Sequence, residues 1–518
     1  MKKNVLALSI ATAVVGFAGS AHAIGTIGGT ATANDLQFGN TGTGHMLLVP
    51  YFSTQDGNAN LLSLINTDTV NGKAVKVRFR GARNSDDVFD FQVFLSPGDV
   101  WTANISKNKD GLSYLKTEDN TCTKPSKAKI NDTPFITSRL NPNVTAEEKA
   151  NNTREGYVEI FNMADIPKST TGLYPLIKHA NSVAKCADDG TNLAWSAINK
   201  DLANEAAYKN PAIGMTNPTT GLAANWTIMN VPKALSWSGA ATAIEAVNSA
   251  VNPSALASGN IVYFPQVSEP VTNPGTFSSD PLFVGSAASP TTPAYAAAMY
   301  DLPDMSTPYT VYTAESTNWP ADQAIKLADA ITTRAVINEF WTEPTIKAET
   351  DWVFSMPTRR YAVAVDYSAT KPTAVYNTTV NKHFTSANTV MNGDAVCVRN
   401  VTYTVWDREE NSPASPDDVV ISPGTPTAPT LFCGETSVLS FNNAGAAQSA
   451  VLAASVSLKD MDTGYANGWA QLNTPGARVA GLPILGQAFV SAYNPSVASG
   501  TAGNFGVNWG HRFVRVTP

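Results

Sequence analysis

Charged residues are scarce in this chain. Asp, Glu, Lys and Arg make up 15% of its 518 residues, against about 25% in ordinary soluble domains. The formal net charge is −7, and no basic stripe is present that would displace counterions from a phosphate backbone, which argues against nucleic-acid binding. Ser, Thr, Asn, Ala and Gly take the place of charge. Such a surface is typical of exported and lattice-forming proteins, because neutral faces meet without desolvation of ions.

The usual catalytic signatures are also missing. There is no Gly-x-Ser-x-Gly elbow, His-Glu-x-x-His motif, P-loop or dinucleotide-binding glycine motif. Apart from His22, the histidines are His45, His179, His383 and His511, which lie far apart in the sequence. A cluster of Asp86, Asp87 and Asp90 offers a carboxylate pair for glycoside chemistry, but we interpret it as a solvated turn before a strand. The sequence therefore predicts a protein that is not an enzyme.

Cysteine is scarce as well, with four residues: Cys122, Cys186, Cys397 and Cys433. No pair has Cys-x-x-Cys spacing, and the histidines are too few to complete a zinc site. In an oxidising compartment, four cysteines predict two disulfides, for which three pairings are possible. We favour Cys122 with Cys186 and Cys397 with Cys433, because each bond would close a polar, turn-rich excursion between strand-like segments.

The first 23 residues predict export. Lys2 and Lys3 precede the apolar run 5–18, and Ala21 and Ala23 are small residues at the positions that a signal peptidase reads. The run is too short to span a bilayer as a stable helix. We expect a mature chain without a transmembrane segment at the cell surface or outside the cell, or otherwise in the periplasm. An uncleaved anchor is the alternative.

Short strands with turns between them dominate the pattern. Residues 73–80 alternate between an apolar face of Val75, Val77 and Phe79 and a charged face of Lys76, Arg78 and Arg80. This period of two predicts a half-buried antiparallel strand with one charged face. Similar runs recur at intervals of roughly ten residues, which is typical of a β-sandwich. The predicted fold class is mainly β, with antiparallel, immunoglobulin-like sandwich elements and a partly helical, loop-rich insertion.

The chain is longer than the roughly 250–300 residues at which a single core stops growing. We predict a signal peptide at 1–23, an N-terminal β-sandwich region with a disulfide loop at 24–190, an Ala/Pro-rich mixed insertion at 191–335 and a C-terminal β region at 336–518. Within the insertion, helices are predicted at 240–251 and 320–331. Pro320 and Asp322 suit the first turn of the second helix.

Two loops have oxygen-bearing side chains at alternate positions, as calcium sites often do. The first contains Asp56, Asn58 and Asn60, and the second contains Asp460 and Asp462. Calcium takes six to eight oxygen ligands, and neither loop has the distal glutamate of an EF-hand. Calcium is the one cofactor that the sequence suggests. Ordinary turns are the alternative that we favour.

Tryptophan offers a possible ligand platform. Trp101, Trp341, Trp352, Trp406, Trp469 and Trp509 would suit the binding of sugar rings. In β-sandwiches such residues more often pack in the core or at strand ends, and core packing is the interpretation we favour.

Four segments of the N-terminal region resemble a known family. They are residues 49–53, 64–68, 73–79 and 95–101. They are similar to the N-terminal region of large exported cell-surface proteins of Gram-negative bacteria, often described as surface-layer-like. Residues 352–367 and 468–512 resemble later parts of the same family, and the resemblance weakens through 190–335. It carries no catalytic residues and implies a β-rich exported surface protein that associates with itself or with other surface components.

Three classes of function remain open. An exported structural or adhesive cell-surface protein, with self-assembly as one form of it, agrees best with the export signal, the low charge and the β pattern. The second class is a periplasmic or secreted protein that binds a ligand such as a carbohydrate. The third is an exported hydrolase whose site is not recognisable from the sequence.

Overall fold

The chain folds mainly into antiparallel β-sheets in the residues that the computed structural model describes. These are residues 26–27, 31–186, 210–252, 255–262, 304–307, 309–311, 319–412, 432–494, 496–498 and 503–516. The predicted signal peptide at 1–23 lies outside them. None of the helices in these ranges has both the length and the apolar character needed to span a bilayer.

The elements of the first half are mostly strands. They are β1 (Thr26–Ile27), β2 (Asp35–Phe38), β3 (Met46–Ser53), β4 (Asn58–Asn66), β5 (Gly72–Gly81), β6 (Asp87–Leu95), β7 (Val100–Lys107), β8 (Ser113–Lys116), β9 (Cys122–Lys124), α1 (Lys127–Asp132), α2 (Ala146–Asn152), β10 (Glu155–Ile166), α3 (Tyr174–Ile177), β11 (His179–Ala180), β12 (Val183–Ala184), β13 (Leu222–Asn230), β14 (Leu235–Ala240), β15 (Thr242–Val247) and β16 (Ile261–Val262). Single 3-10 turns occur at Gln55–Gly57 and Pro211–Ile213.

The elements of the second half are also mostly strands. They are α4 (Trp319–Ala330), β17 (Thr332–Trp341), β18 (Glu349–Ser355), α5 (Arg359–Ala362), β19 (Val363–Asp366), β20 (Thr373–Tyr376), β21 (Thr389–Asn392), β22 (Ala395–Val398), β23 (Thr402–Trp406), β24 (Phe432–Cys433), β25 (Thr436–Phe441), β26 (Leu458–Met461), β27 (Asn467–Asn473), β28 (Leu482–Pro483), β29 (Leu485–Tyr493), β30 (Asn504–Gly510) and β31 (Arg512–Arg515). A 3-10 turn at Pro344–Ile346 precedes β18.

Two sheets form an N-terminal sandwich. Sheet 1 has the order β2-β15-β3-β10-β5-β6-β9, and sheet 2 has the order β14-β13-β4-β7-β8. Apolar side chains from both sheets share one buried core. Phe91 of sheet 1 and Trp101 of sheet 2 meet in it with their ring centroids 5.3 Å apart. Burial of these alternating apolar faces is the main favourable term for this unit.

The predicted insertion at 191–335 is not separate from this sandwich. Its strands β13 and β14 form one side of sheet 2, and β15 lies inside sheet 1 between β2 and β3. β13 pairs with β4 along nine consecutive residues from Leu222 to Asn230. Distant segments complete the hydrogen-bonding edges that the first 190 residues leave open, so the boundary predicted at 190 does not divide the strands.

One of the two predicted helices is confirmed. Residues 319–330 form α4, close to the predicted range 320–331. The helix predicted at 240–251 is wrong, because residues 242–247 form β15. Alanine favours a helix there only weakly, and backbone pairing with strands on both sides outweighs that preference.

Two further sheets form a C-terminal sandwich. Sheet 3 has the order β23-β27-β17-β28, with β31 also paired to β17, and sheet 4 has the order β26-β25-β18-β29-β30. Phe340 of sheet 3 stacks on Phe441 of sheet 4, with centroids 4.9 Å apart. β17 begins at Thr332, so the boundary predicted at 335 falls inside a strand.

Sheet 4 is covered on both faces. One face contributes to the core shared with sheet 3, and the other packs on the N-terminal sandwich. Phe489 contacts Tyr51 of sheet 1 and Trp226 of sheet 2, at centroid distances of 6.4 and 6.0 Å. The indole N–H of Trp237 donates to the carbonyl of Val490 at 2.9 Å. Sheet 3 therefore lies on the other side of the C-terminal core, and it reaches the N-terminal half at the end of β31, where the guanidinium of Arg515 lies 5.0 Å from the ring centroid of Phe38.

The four cysteines form two disulfides. Cys122 is joined to Cys186 and Cys397 to Cys433, the pairs favoured from the sequence, with Cα–Cα distances of 5.4 and 4.0 Å. Cys397 and Cys433 are direct partners on β22 and β24. The first bond ties the edge strand β9 of sheet 1 to the segment after β12. Such bonds are typical of oxidising compartments.

The strand predicted at 73–80 is present, but its charged face is buried. Lys76, Arg78 and Arg80 are almost inaccessible to water. Sheet 1 is covered on both faces, one by the sandwich core and the other by a second cluster with segments that lie far away in sequence. Alternation indicates to which face each side chain points, but not what covers that face. The strand that was predicted to be half buried is therefore fully buried.

Ion pairs neutralise this buried charge and link the two sandwiches. Asp304 contacts Arg80 of β5 at 3.4 Å and also pairs with Arg360 of α5. Glu159 of β10 bridges the same two arginines, at 3.4 Å from Arg80 and 3.6 Å from Arg360. Beside them, Arg359 lies 2.6 Å from Glu435. All of these side chains are at most 2% exposed, so each ion depends on its protein partners rather than on water.

The replacement Arg360→Met should therefore destabilise the protein strongly. It keeps much of the side-chain volume but leaves Asp304 and Glu159 short of a cation in a dry site. Loss of one partner of a buried pair typically lowers the free energy of unfolding by about 3–5 kcal/mol. Denaturant unfolding followed by circular dichroism measures the change.

An exposed pair provides the matched control. Lys233 lies 2.9 Å from Asp56, and both side chains are almost half exposed. Lys233→Met should lower the free energy of unfolding by no more than about 1 kcal/mol. Equal losses in the two variants would contradict a structural role for the buried cluster.

Candidate functional site: a tryptophan cleft

The free face of sheet 3 carries an unusual set of side chains. Along β17, buried and less buried residues alternate, so that Ile337, Glu339 and Trp341 point away from the sandwich. β27 follows the same alternation and turns Trp469 and Gln471 to the same side. This face is therefore aromatic and polar rather than uniformly polar.

Strand register aligns these side chains in rows across the sheet. Trp406 of β23 lies opposite Trp469, which lies opposite Glu339. The next row contains Thr404, Gln471, Ile337 and Arg512, in the order β23, β27, β17 and β31. Direct cross-strand neighbours have Cβ atoms roughly 4.5–5.5 Å apart. Aromatic rings thus lie beside hydroxyl, amide, carboxylate and guanidinium groups.

Two tryptophan pairs mark the site. The rings of Trp406 and Trp469 are stacked, with centroids 3.9 Å apart and planes inclined by 10°. Trp341 and Trp509 meet edge to face at 4.8 Å. Trp469 is 37% exposed, which is high for a residue of this size.

The predicted core packing holds for only some of the tryptophans. Trp101 and Trp352 are fully buried, as predicted. Trp341, Trp406 and Trp509 are only partly buried, and Trp469 is exposed. The six tryptophans therefore divide into core residues and residues at the surface of the C-terminal sandwich, a difference that the sequence pattern does not reveal.

A cleft of about 630 Å³ lies at the first tryptophan pair. Trp341, Trp406 and Trp469 contribute its aromatic walls. Its polar lining includes Glu339, Asp407, Arg408, Glu410 and Arg512. Both the volume and the mixture of aromatic and polar groups are those of small-molecule and oligomer binding sites.

The loop after β23 shapes one rim of the cleft. The carboxylate of Asp407 accepts the backbone N–H groups of Glu409 and Asn411, each at 2.8 Å. The side-chain amide of Asn411 also donates to it at 2.9 Å, and these hydrogen bonds lower the pKa of Asp407. Asp407 therefore holds the shape of this loop.

Such an arrangement suits a ligand with an apolar face and a polar rim. A sugar ring packs its C–H face on the electron-rich face of an indole. Arg512 carries N–H donors and Glu339 carries carboxylate acceptors, which would suit the hydroxyl groups of such a ring. The sequence alone does not single out Glu339, Gln471 and Arg512, although alternation within their strands identifies them once the register is known.

The first predicted calcium loop is largely occupied by protein contacts. Asp56 pairs with Lys233. Asn58 is buried in β4, where its side-chain oxygen accepts a hydrogen bond from Asn230 at 3.0 Å. Asn60 is also buried and bonds the backbone of the neighbouring strand β3 through both polar atoms.

The second predicted calcium loop is similar. Asp460 accepts the backbone N–H of Asn443 at 2.8 Å, and Asp462 accepts that of Gly464 at 3.1 Å. Within the described ranges, no three His, Cys, Asp or Glu side chains come close enough together to hold a metal ion. Calcium binding at these loops stays a prediction.

The histidines support the fold rather than the cleft. His45 and His511 are buried, and burial lowers the pKa of each to about 3, so both rings are neutral at physiological pH. His383 lies 3.2 Å from Asp329, and His179 lies 3.4 Å from Asp99. All four bond to the surrounding protein and none lines the cleft.

Of the three aspartates that were interpreted as a solvated turn, Asp86 and Asp87 are buried instead and Asp90 is only partly exposed. Asp87 pairs with Arg78, and Asp90 pairs with Lys76, on the covered face of sheet 1. Asp86 is also buried and accepts a hydrogen bond from the hydroxyl of Tyr367 at 2.8 Å. The solvated-turn interpretation failed because segments beyond residue 300 cover this turn.

Comparison with known proteins leaves the cleft as the main guide to function. No protein-family model, no curated protein and no solved structure matches this chain. The resemblance to exported surface proteins therefore stays a prediction.

Asp86 should make stability depend on pH. Burial raises the pKa of its carboxyl to about 7, whereas an unfolded Asp titrates near 3.9. Between about pH 4 and pH 7 the unfolded chain binds fewer protons, so this group lowers the stability of the folded state as the pH rises.

The variant Asp86→Asn should remove this contribution while it keeps an acceptor for Tyr367. Compared with the native protein, it should be equally stable near pH 4 and more stable above pH 7, by a few kcal/mol at most. Parallel denaturant titrations across this range provide the test. A difference between the two proteins that does not vary with pH would exclude Asp86 as the titrating group.

Proposed function

We propose that this chain is an exported protein that binds carbohydrate at the tryptophan cleft of its C-terminal sandwich. The stacked pair of Trp406 and Trp469 on an open sheet face is the observation that carries the proposal. A core tryptophan adds to stability, but an exposed stacked pair leaves apolar area in contact with water, an arrangement typical of binding surfaces.

The surroundings of the pair support a sugar over a purely apolar ligand. Glu339 is the direct neighbour of Trp469, and Arg512 lies one row away. Planar carboxylate and guanidinium groups bond hydroxyl groups in well-defined directions. Asp407 is engaged by hydrogen bonds from Glu409 and Asn411 within its own loop, which supports a structural role for this carboxylate. Export to the cell surface is supported by the N-terminal pattern and by two disulfides.

The variant Trp469→Ala should weaken sugar binding at least about tenfold, or about 1.4 kcal/mol. It removes the most exposed ring of the cleft without opening the core. Suitable probes are cellohexaose, xylohexaose, mannohexaose and maltohexaose, titrated into the mature protein by calorimetry or tryptophan fluorescence. Trp469→Phe should retain part of the affinity because it keeps an aromatic face.

Tyr493→Ala is the matched control. The exposed fraction of Tyr493 is 38%, which is similar to that of Trp469. Tyr493 lies on sheet 4 instead, beside Lys347. Its loss should change neither affinity nor melting temperature. If none of the four probes binds, or if Trp469→Ala binds as the native protein does, the cleft is not a carbohydrate site.

A self-associating surface protein is the second candidate. In the part of the chain that the structure describes, β23 pairs with β27 on one side only. Its residues 402–406 carry no charge. Natural edge strands are usually blunted by charge, because an uncharged edge readily pairs with another chain. This edge is therefore suited to contact between copies.

Tyr403→Lys should disrupt that contact. It places a charge in the edge strand, so the native protein should sediment as multimers and the variant as smaller species. Analytical ultracentrifugation measures both, with Tyr403→Phe as the uncharged control. A native protein that stays monomeric at high concentration would contradict this second candidate.

A further inference from the structure

The aromatic wall of the cleft continues onto sheet 4. Trp341 lines the cleft and contacts Trp509 of β30. Alternation along β30 places Val507 and Phe505 on the same face as Trp509. Val507 is 40% exposed and Phe505 is 55% exposed. An apolar row thus extends beyond the cleft along the edge strand of sheet 4.

A second set of contacts connects the same places. The Thr350 hydroxyl accepts the backbone N–H of Trp341 at 2.9 Å and donates to its carbonyl at 2.8 Å. Thr350 lies opposite Val490 across β18 and β29, and Val490 lies opposite Val507 across β29 and β30. Thr350, Val490 and Val507 thus form one cross-strand row. Trp341 is held at the Thr350 end of this row by its two hydrogen bonds.

The opposite face of β30 is held by the N-terminal sandwich. Asn508 donates to the carbonyl of Ser238 at 2.8 Å and accepts its N–H at 3.3 Å. At Gly506 an added Cβ would come within 2.4 Å of the carbonyl oxygen of Ser236, so β14 lies directly against the strand. Val507 and Phe505 therefore lie on the face that sheet 4 turns to sheet 3, and both stay exposed there because β30 is the edge strand.

We propose that Trp509, Val507 and Phe505 extend the tryptophan cleft into a track for a linear, neutral polysaccharide. This inference rests on the proposed function and specifies its ligand as a chain of several sugars. The step from Trp509 to Phe505 along the strand spans about 13 Å, more than one pyranose ring. None of the three residues is ionisable, which favours a neutral chain over one rich in uronic acids.

Chain length tests the track. Disaccharides to hexasaccharides of the series that binds best should be titrated into the mature protein. The native affinity should rise at least about tenfold from the disaccharide to the hexasaccharide. The double variant Phe505→Ala/Val507→Ser should lose that rise and keep its disaccharide affinity. Phe505→Trp should preserve the rise, and Tyr493→Ala should leave it unchanged.

The outcomes separate the track from the cleft. If all chain lengths bind equally and Trp469→Ala abolishes binding, the track is wrong and the carbohydrate cleft stands. If no oligosaccharide binds at all, both proposals fail. If the double variant changes the sedimentation of the protein but not the dependence on chain length, this face is a contact between copies and the track is overturned.

Discussion

The contact of Asp304 with the guanidinium groups of Arg80 and Arg360 joins the two sandwiches at a point that water does not reach. Removal of charges from water costs several kcal/mol per ion, and only close partners offset it. Arg80 lies on β5 of sheet 1, and Arg360 lies on α5, which follows β18 of sheet 4 along the chain. Arg80 also pairs with Glu159 of its own sheet, whereas the contacts of Asp304 and Glu159 with Arg360 form only when the two halves are placed as they are.

This placement determines which surface remains free. Sheet 4 packs on sheet 3 with one face and on the N-terminal sandwich with the other, as Phe489 shows by contacting both N-terminal sheets. In the part of the chain that the structure describes, no second sheet packs on the outer face of sheet 3 around Trp469 and Glu339. Its outer face is therefore available for a ligand, and the tryptophans on it can be exposed without weakening either core. The tryptophans and Glu339 of the cleft lie on rigid strands, and the loop after β23 adds one rim, which favours a precise aromatic wall.

The β class and many strands could be predicted from alternation, because the period of two depends only on local backbone geometry. The degree of burial could not. Lys76, Arg78 and Arg80 look like a solvated face until residues as distant as Asp304, 224 positions from Arg80, are placed over them. The helix predicted at 240–251 failed for a related reason, since strand pairing on both sides of β15 outweighs local preference.

The candidate site shows the same limit. Trp352 and Trp469 are the same residue type in similar alternating strands, yet one lies in the core and the other lies in the cleft. Only the register between β17, β23 and β27 brings Trp406, Trp469 and Glu339 together. Register depends on contacts between distant segments, and a single sequence does not contain that information in readable form.

The close contact of β14 with β30, between residues 270 positions apart, bears on how fast the protein folds. Strands that meet across such separations must overcome the entropy of closing a long loop before any contact rewards them. The strand pairing of sheet 1 is likewise complete only when β15 has paired with β2 and β3. Folding should therefore be slow compared with that of proteins held together by local contacts, and the unpaired strand edges of the partly folded chain stay open for correspondingly longer.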